Sequence, residues 1–272
     1  SLDHDARLLT IEKTKKARDW HPRGIFGMDR SPNEAALEKS LIKLAESVIA
    51  NGISGIGELQ AARDLLLRLP PRLRDCEFSA PRSVETLVED MQALCAKLDA
   101  TVLPIQGPPG TGKTYLAAQI ILDLVRRGKK VGITSNSHPV IKHLLGGVLG
   151  AATEAGAEIA VGRKGGTNEE IEPPVEDLAK NEIAIERLAE LDIIGGTKFM
   201  WARPEFAGTV DVLVVDEASQ FSLADTLAVS PAAQSIILIG DPQQLERPQK
   251  GSHPDGVDVS PLDHLLAGRQ TM

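Results

Sequence analysis

A glycine-rich segment that ends in a lysine and a hydroxyl residue is the strongest chemical signal in the sequence. Residues 107–114 read GPPGTGKT and satisfy every fixed position of the pattern G-x-x-x-x-G-K-[ST]. Glycines let the backbone curl so that its N–H groups face one concavity and hold phosphates. The alternative is a turn that only ends a strand. That alternative gives no reason why a Lys-Thr pair stands at the start of an amphipathic helix. The predicted nucleotide-binding residues are Gly107, Pro108, Pro109, Gly110, Thr111, Gly112, Lys113 and Thr114.

Within this segment two side chains have separate predicted roles. Lys113 offers an ammonium group to the β- and γ-phosphates of ATP, and Thr114 offers a hydroxyl to Mg²⁺. The helix that begins beneath them adds partial positive charge at its N-terminus.

Two adjacent carboxylates follow a nearly continuous hydrophobic run, VDVLVV. Because the carboxyl ends of buried parallel strands form the ligand-binding edge of an open α/β sheet, Asp216 is predicted to hold Mg²⁺, usually through water. Glu217 is predicted to orient and deprotonate the attacking water. A surface acidic pair that caps the next helix is the alternative, although neighbouring carboxylates repel each other unless a cation or a reaction uses them.

A third polar segment, GDPQQL, follows the apolar run SIILI at residues 235–239. Gln244 is predicted to donate its amide to the γ-phosphate and so to report whether that phosphate is present. Taken alone, Gly-Asp-Pro is only a turn that ends a strand. Its place after the other two elements favours the sensing role, and the predicted catalytic residues are Lys113, Glu217 and Gln244.

The elements that position these residues change in type near residue 100. Before it, apolar periodicity predicts helices at residues 32–50, 56–69 and 83–98. After it, strands are predicted at 102–106, 131–134, 158–161, 192–195, 211–215 and 235–239, with helices at 114–127 and 174–191. Alternating strands and helices predict an α/β fold with a parallel sheet covered on both faces. We therefore predict a helical region at 1–83 and an ATP-binding domain at 84–272, with a helical insertion at about 162–191.

Composition narrows the class of protein. The net charge is −8 and the pI about 5.3. These values argue against a protein that binds nucleic acid along its whole surface, but they are compatible with a local basic track. No stretch reaches 18 apolar residues, so we expect no membrane span. Cys76 and Cys95 lack the spacing of a disulfide framework or zinc site and are expected to be idle thiols of a cytoplasmic protein. A start at Ser1 without signal-peptide features suggests an excised piece of a longer chain.

The three chemical segments, in this order, resemble the motifs of superfamily 1 helicases. GPPGTGKT is similar to motif I, DEASQ to motif II and GDPQQL to motif III. The resemblance covers roughly residues 100–270 and is greatest to the branch that includes the up-frameshift RNA helicase and the Dna2 nuclease–helicase. Residues 134–138, TSNSH, are similar to motif Ia, and residues 195–197, GGT, to the segment before motif II. In the family both segments touch the nucleic-acid backbone, which implies contacts at Ser135, Asn136, Ser137, His138 and Thr197.

This resemblance implies a RecA-like domain of an ATP-dependent helicase or translocase. It implies movement from 5′ to 3′ on single-stranded nucleic acid, with DNA favoured over RNA, and a second RecA-like domain of the same protein that supplies an arginine finger. Without that arginine we expect the 272-residue chain to bind ATP with Mg²⁺ but to hydrolyse it slowly. A non-motor P-loop ATPase and an ATP-sensing nucleic-acid-binding module are the alternatives.

Several details depart from the family or stay open. The proline that follows QL in motif III is replaced by Glu246-Arg247-Pro248. Gln92 is the nearest candidate for the adenine-reading glutamine, and an ordinary glutamine on a helix surface is the equal alternative. Arg163 and Lys164 either grip the strand or belong to a solvated loop at residues 162–174. The segments GGTKFMWARP and GSHPDGVDVSPLDHLLAG also resemble bacterial proteins in which a RecB-like nuclease precedes such a helicase.

Overall fold

The chain forms two structural units, residues 1–31 and residues 32–272. A computed structural model describes residues 34–55, 57–78, 81, 83–166, 169–243, 259–267 and 269, and the backbone of two short strands near the N-terminus. Those strands, β1 (Leu2–Asp3) and β2 (Leu8–Leu9), form an antiparallel pair within the first unit.

The second unit is built on a seven-stranded sheet in the order β3-β9-β8-β4-β7-β5-β6, and every neighbouring pair is parallel. Its central strands are apolar and buried because helices cover both faces. The strands are β3 (Val102–Gln106), β4 (Val131–Thr134), β5 (Val161–Arg163), β6 (Glu176–Asp177), β7 (Ile193–Gly195), β8 (Val210–Asp216) and β9 (Ala233–Gly240). This architecture confirms the predicted α/β P-loop fold.

On one face of the sheet, helices α3 (Leu87–Cys95), α4 (Lys113–Arg126) and α5 (His138–Glu154) pack against the strands and enclose part of the core. Helix α4 shows why it packs there: its buried residues include Leu116, Ile120 and Leu124, spaced four apart on one side. The other face is covered by α1, α2, α7 and α8. The helices are α1 (Glu34–Asn51), α2 (Gln60–Leu67), α3 (Leu87–Cys95), α4 (Lys113–Arg126), α5 (His138–Glu154), α6 (Asn181–Arg187), α7 (Lys198–Trp201), α8 (Leu223–Val229) and α9 (Pro261–Leu266).

Helices α1 and α2 share a core with the sheet. Leu44 of α1 and Leu65 of α2 are buried in the same cluster as Leu213 of β8, and the Ser40 hydroxyl donates to the carbonyl of Ala228 at 2.6 Å. Residues from the predicted N-terminal region therefore cover one face of the sheet, and the boundary at residue 83 stays a prediction.

The segment from residue 158 to 191 differs most from its predicted elements. The strand predicted at residues 158–161 is observed as β5 at Val161–Arg163, where all three residues pair with β7. The predicted helix at 174–191 contains strand β6 and only the short helix α6. Glu176 accounts for this change, since its backbone pairs with Gly162 while its carboxylate accepts from Arg187 of α6 at 2.6 and 2.8 Å. Among the helices that the structure describes, none has the length and apolar content of a membrane span.

Candidate nucleotide-binding site

Four strand ends lie side by side at the carboxyl edge of the sheet. Gln106, the last residue of β3, pairs with Gly240 at the end of β9. Asp216 at the end of β8 pairs with Ile239, and Thr134 at the end of β4 pairs with Val215. The three predicted segments therefore begin at neighbouring points, as expected for the carboxyl ends of parallel strands.

The loop after β3 has the backbone of a phosphate cradle. Gly110 and Gly112 adopt left-handed φ angles of +77° and +82°, which glycine adopts without the penalty of a side chain. A Cβ at Gly107 would lie 2.9 Å from the hydroxyl of Thr111. Within the described part of the chain, the N–H groups of Gly110 and Gly112 donate to no backbone carbonyl. Unpaired N–H groups that line a tight loop are suited to hold phosphate oxygens.

The two side chains at the end of the loop stand at the N-terminus of α4. The Lys113 ammonium donates to the carbonyls of Gly107 and Pro108 at 2.6 and 2.9 Å, so the loop curls around it. Thr114 is half-buried next to Lys113 in the first turn of α4. The helix is 14 residues long and contributes partial positive charge at this end.

Asp216 is nearly fully buried at the end of β8, with 6% of its surface exposed. Burial is the main cause that raises its pKa to about 6, and the neighbouring Glu217 raises it further. The backbone N–H of Glu217 donates to the carboxylate of Asp216 at 2.9 Å. This hydrogen bond and the charges of His143 and Lys113 lower the pKa of Asp216. A buried carboxyl near a lysine is a suitable ligand for a divalent cation, because the cation favours its ionised form.

Glu217 has an unusual backbone for a side chain of its size, with a φ of +54° in the left-handed region. Such a conformation costs about 1 kcal/mol or more for a residue with a Cβ. Its Oε2 atom is buried without a partner among the described residues. The 3₁₀ turn Ala218–Gln220 follows at once and holds this orientation.

Three further buried hydroxyls near this edge have no hydrogen-bond partner in the part of the chain that the structure describes. They belong to Thr134, Ser135 and Ser219. Buried polar atoms without partners are rare and mark places where a ligand or water completes the bonding. No group of three or more acidic, histidine or cysteine residues with metal-binding geometry occurs among the described residues. Mg²⁺ does not need one, because it is held through one or two protein groups together with substrate phosphates.

The third predicted segment is described only in part. Gly240 lies close to motif II, since a Cβ there would be 3.1 Å from the N of Ser219. Asp241 is buried and accepts from the N–H of Gln243 at 2.9 Å. Gln244 lies outside the described residues, so its sensing role stays a prediction.

The residues predicted to touch nucleic acid differ in exposure. Ser135 is fully buried, and the Asn136 amide donates to the carbonyl of Gln220 in motif II. Ser137 and His138 are half-buried at the start of α5, and Thr197 is half-buried before α7. Ser137, His138 and Thr197 therefore retain surface for a strand. Asn136 is also half-buried, whereas Ser135 has no exposed surface.

Basic groups lie around the same edge. Arg163, at the end of β5, is buried and donates to Glu169 at 2.7 Å, which holds the pKa of that carboxyl at about 2. Burial lowers the pKa of Lys164, and the charge of Arg203 lowers it further. Burial also lowers the pKa of His138. An anion near Lys164 would favour the charged form of that lysine.

Gln92 does not reach the phosphate loop directly. Its amide donates to the carbonyl of Gln119, in the second turn of α4, at 3.1 Å. This bond joins α3 to α4, and the adenine-reading role stays a prediction.

His143 has no role that the sequence predicts, yet its charge lowers the pKa of Asp216. Gly147 of α5 lies against α4, where a Cβ would be 3.9 Å from the methyl group of Thr114. His143 is one helical turn nearer the sheet edge, so it lies beside the nucleotide site. Gly147 was the available signal, because a glycine within a helix often has a packing reason.

Comparison with family models matches residues 89–257 to the AAA domain, which is more than half of the chain. The chain belongs to the AAA domain family. Its motifs resemble those of superfamily 1 helicases, and its relatives include the Dna2 helicase/nucleases, which supports the resemblance to the Dna2-like branch. Origin in a bacterial nuclease–helicase fusion stays a prediction.

The AAA domain has relatives among much longer proteins. It is 26% identical over 217 residues to "DNA replication ATP-dependent helicase/nuclease dna2" of Schizosaccharomyces pombe, which covers 73% of this chain and 15% of that protein. It is 28% identical over 190 residues to the DNA2 protein of Xenopus laevis, with coverage of 65% and 17%. The chain thus spans less than a fifth of these relatives. The arterivirus nonstructural protein 10 helicase, solved with DNA, matches 66% of this chain and 36% of that chain at 17% identity, with a TM-score of 0.40.

Proposed function

We propose that this chain is the ATP- and Mg²⁺-binding first motor domain of a nucleic-acid helicase or translocase. The observation that carries the proposal is the row of strand ends at which a glycine loop with unpaired N–H groups, Lys113 and the buried Asp216 meet. Such a row can bind a triphosphate and activate water at its terminal phosphate. The full motor is proposed to move from 5′ to 3′, with a second RecA-like domain of the same protein closing over the nucleotide.

The roles of the chain's own residues follow from their positions. The loop N–H groups and Lys113 bind the phosphates, and Glu217 orients the attacking water and accepts its proton. Thr114 and Asp216 would hold Mg²⁺, which neutralises charge on the phosphates when bound. The orphaned Oε2 of Glu217 supports this reading, because a buried acceptor without a partner is suited to a water molecule.

Single-stranded DNA is the proposed track. Ser137, His138 and Thr197 lie at the edge of the sheet where Lys164 and Arg203 add positive charge. Contacts of this kind go to phosphate and sugar and carry no sequence information. DNA is favoured because the relatives are named for DNA replication. We also propose a cytoplasmic location, because the two cysteines are unpaired.

Nucleotide binding by the 272-residue chain tests the proposal. With a fluorescent ATP analogue and Mg²⁺, we expect saturable binding that K113A weakens about tenfold or more, in line with the loss of a charge-assisted phosphate contact. E217Q should keep the binding and retain uncleaved ATP. Unaltered chain should turn over ATP slowly, since an arginine finger contributes about 10³–10⁵ in rate.

The matched control is K97A, which removes an exposed lysine and should leave affinity unchanged. Absence of saturable nucleotide binding would contradict the proposal. Nucleotide binding without any binding of single-stranded oligonucleotide would favour a non-motor P-loop ATPase. Rapid, strand-stimulated turnover by these 272 residues alone would show that no second domain is needed for catalysis.

A further inference from the structure

Two polar links join the predicted strand contacts to the polypeptide that follows Glu217. The first is the bond from the Asn136 amide to the carbonyl of Gln220. The second is the ion pair between Lys198, the residue after Thr197, and Asp225 of α8, at 2.6 Å. The first link begins at a residue predicted to touch the strand and the second begins next to one, and both end within nine residues of Glu217.

The Lys198–Asp225 pair is buried, with 7% and 9% of the two residues exposed. The ammonium also lies 5.5 Å from the ring of Phe199 and 6.0 Å from that of Phe221. The free-energy cost of removing both charges from water offsets most of their attraction. Such a pair therefore adds little to the free energy of unfolding compared with an apolar pair. Its directional contacts instead specify where α7 sits relative to Phe221.

From Asp225 the polypeptide leads back to Glu217 through the N-cap of α8 and the 3₁₀ turn, which the peptide bond between Phe221 and Ser222 joins. The N–H of Asp225 donates to the Ser222 hydroxyl at 3.0 Å. The N–H of Phe221 donates to the carbonyl of Ala218 at 3.2 Å, and that of Gln220 to the carbonyl of Glu217 at 2.9 Å. A shift of α7 therefore acts on the turn that holds Glu217.

Glu217 is a suitable receiver for such a shift. Its left-handed φ of +54° is a sparsely populated conformation, and the surrounding contacts must maintain it. Small displacements of those contacts can therefore change how often Glu217 adopts this conformation.

We propose that Lys198 and Asp225 are positioning residues that transmit binding of a nucleic-acid strand at Thr197 to Glu217, and so to the nucleotide. This inference rests on the proposed function. Because coupling between two sites is reciprocal, the strand changes the affinity for nucleotide by the same factor as the nucleotide changes the affinity for the strand. The ion pair carries that factor without touching either ligand.

The test measures this coupling factor in the 272-residue chain. The affinity for a non-hydrolysable ATP analogue with Mg²⁺ is measured with and without saturating oligo-dT. We expect about a fivefold change or more in the unaltered chain. The double variant K198M/D225L keeps the volume of the pair and removes both charges, and we expect its factor to fall below twofold. Each separate affinity and the melting temperature should stay close to those of the unaltered chain.

The matched control is R187M/E176L, which removes another ion pair, at 2.6 Å, far along the sheet. It should keep the full coupling factor. D225N supplies a second variant, which keeps an acceptor for Lys198 and should give an intermediate factor if the double variant does not fold.

Two outcomes overturn the inference. Either the unaltered chain binds both ligands without coupling, or D225N and the double variant keep the full factor. An unaltered chain that binds neither ligand instead contradicts the proposed function, and the inference falls with it. The behaviour of the unaltered chain thus separates the two failures.

Discussion

Asp216 is a carboxyl group that the fold makes hard to ionise. It ends a buried strand, and its nearest acidic neighbour is the next residue in the chain. Its pKa rises from an ordinary value of 3.8 to about 6. Ionised Asp216 therefore lowers the stability of the ligand-free protein, and a bound cation removes this penalty.

The stability of D216N should differ from that of the unaltered chain in a pH-dependent way. Between pH 4 and 6 the folded carboxyl keeps a proton that the unfolded one has lost, so the free energy of unfolding falls as the pH rises. D216N lacks this titration. We expect it to match the unaltered chain near pH 4 and to be ~1–3 kcal/mol more stable above pH 7 in the absence of nucleotide and metal. Urea unfolding at several pH values measures the difference.

E154Q provides the control, because Glu154 is exposed at the end of α5. Its stability should follow that of the unaltered chain across the pH range. A constant difference between D216N and the unaltered chain from pH 4 to 8 would mean that the carboxyl has the same pKa in the folded and unfolded states, contrary to its raised pKa.

At the scale of elements, helix α7 meets strand β4 through a glycine. A Cβ at Gly132 would lie 2.9 Å from Leu213 and 2.9 Å from the indole ring of Trp201. The same indole is buried and donates to the carbonyl of Ile133 at 3.1 Å. The absence of a side chain at Gly132 therefore lets α7, and with it the Thr197 segment, lie close against the sheet.

G132A should destabilise the protein by ~1–3 kcal/mol, because the new methyl group overpacks a region with no free space. The same substitution in a W201L background should cost less, since the smaller side chain leaves room for the methyl group. Urea unfolding of the four proteins of this cycle gives the interaction energy. Equal costs in both backgrounds would mean that Trp201 is not the obstructing group.

G146A is the matched control for this prediction. Gly146 lies within α5, and a Cβ there meets nothing within 4 Å. Alanine has a better helix propensity than glycine, so this variant should be more stable by up to ~1 kcal/mol. If the two Gly→Ala changes alter the free energy of unfolding with opposite signs, the loss in G132A comes from packing and not from backbone entropy.

The limits of sequence-based prediction also follow from the elements. Strands β3 and β4 and the phosphate loop were predicted because their residue types carry local physical reasons: continuous apolar runs and glycines that permit left-handed turns. The Lys198–Asp225 pair was not, since its partners are 27 residues apart and no periodicity connects them. Strand β6 was missed because its two polar residues have no apolar pattern of their own, and only pairing with β5 makes them a strand.

For the whole molecule, the distribution of charge opposes tight binding of nucleic acid. The net charge of −8 repels a polyanion over most of the surface. Around the predicted strand contacts, Arg203 lies close enough to Lys164 to lower the pKa of that lysine, while Arg163 is buried and paired with Glu169. Only a few cations are therefore available to neutralise phosphates.

The salt dependence of oligo-dT binding measures how many phosphates the chain neutralises. For single strands the logarithm of the affinity falls with the logarithm of salt concentration by about 0.7 per neutralised phosphate. With two or three phosphates we expect a slope of about −1.4 to −2.1, or about a tenfold loss of affinity between 50 and 200 mM salt. Fluorescence anisotropy gives the slope.

K164M should make the slope shallower by about 0.7, whereas K43M, which removes an exposed lysine of α1, should leave the slope unchanged. A slope steeper than about −4 would require many more phosphate contacts than this edge of the sheet provides, and the strand would then have to follow another path across the protein.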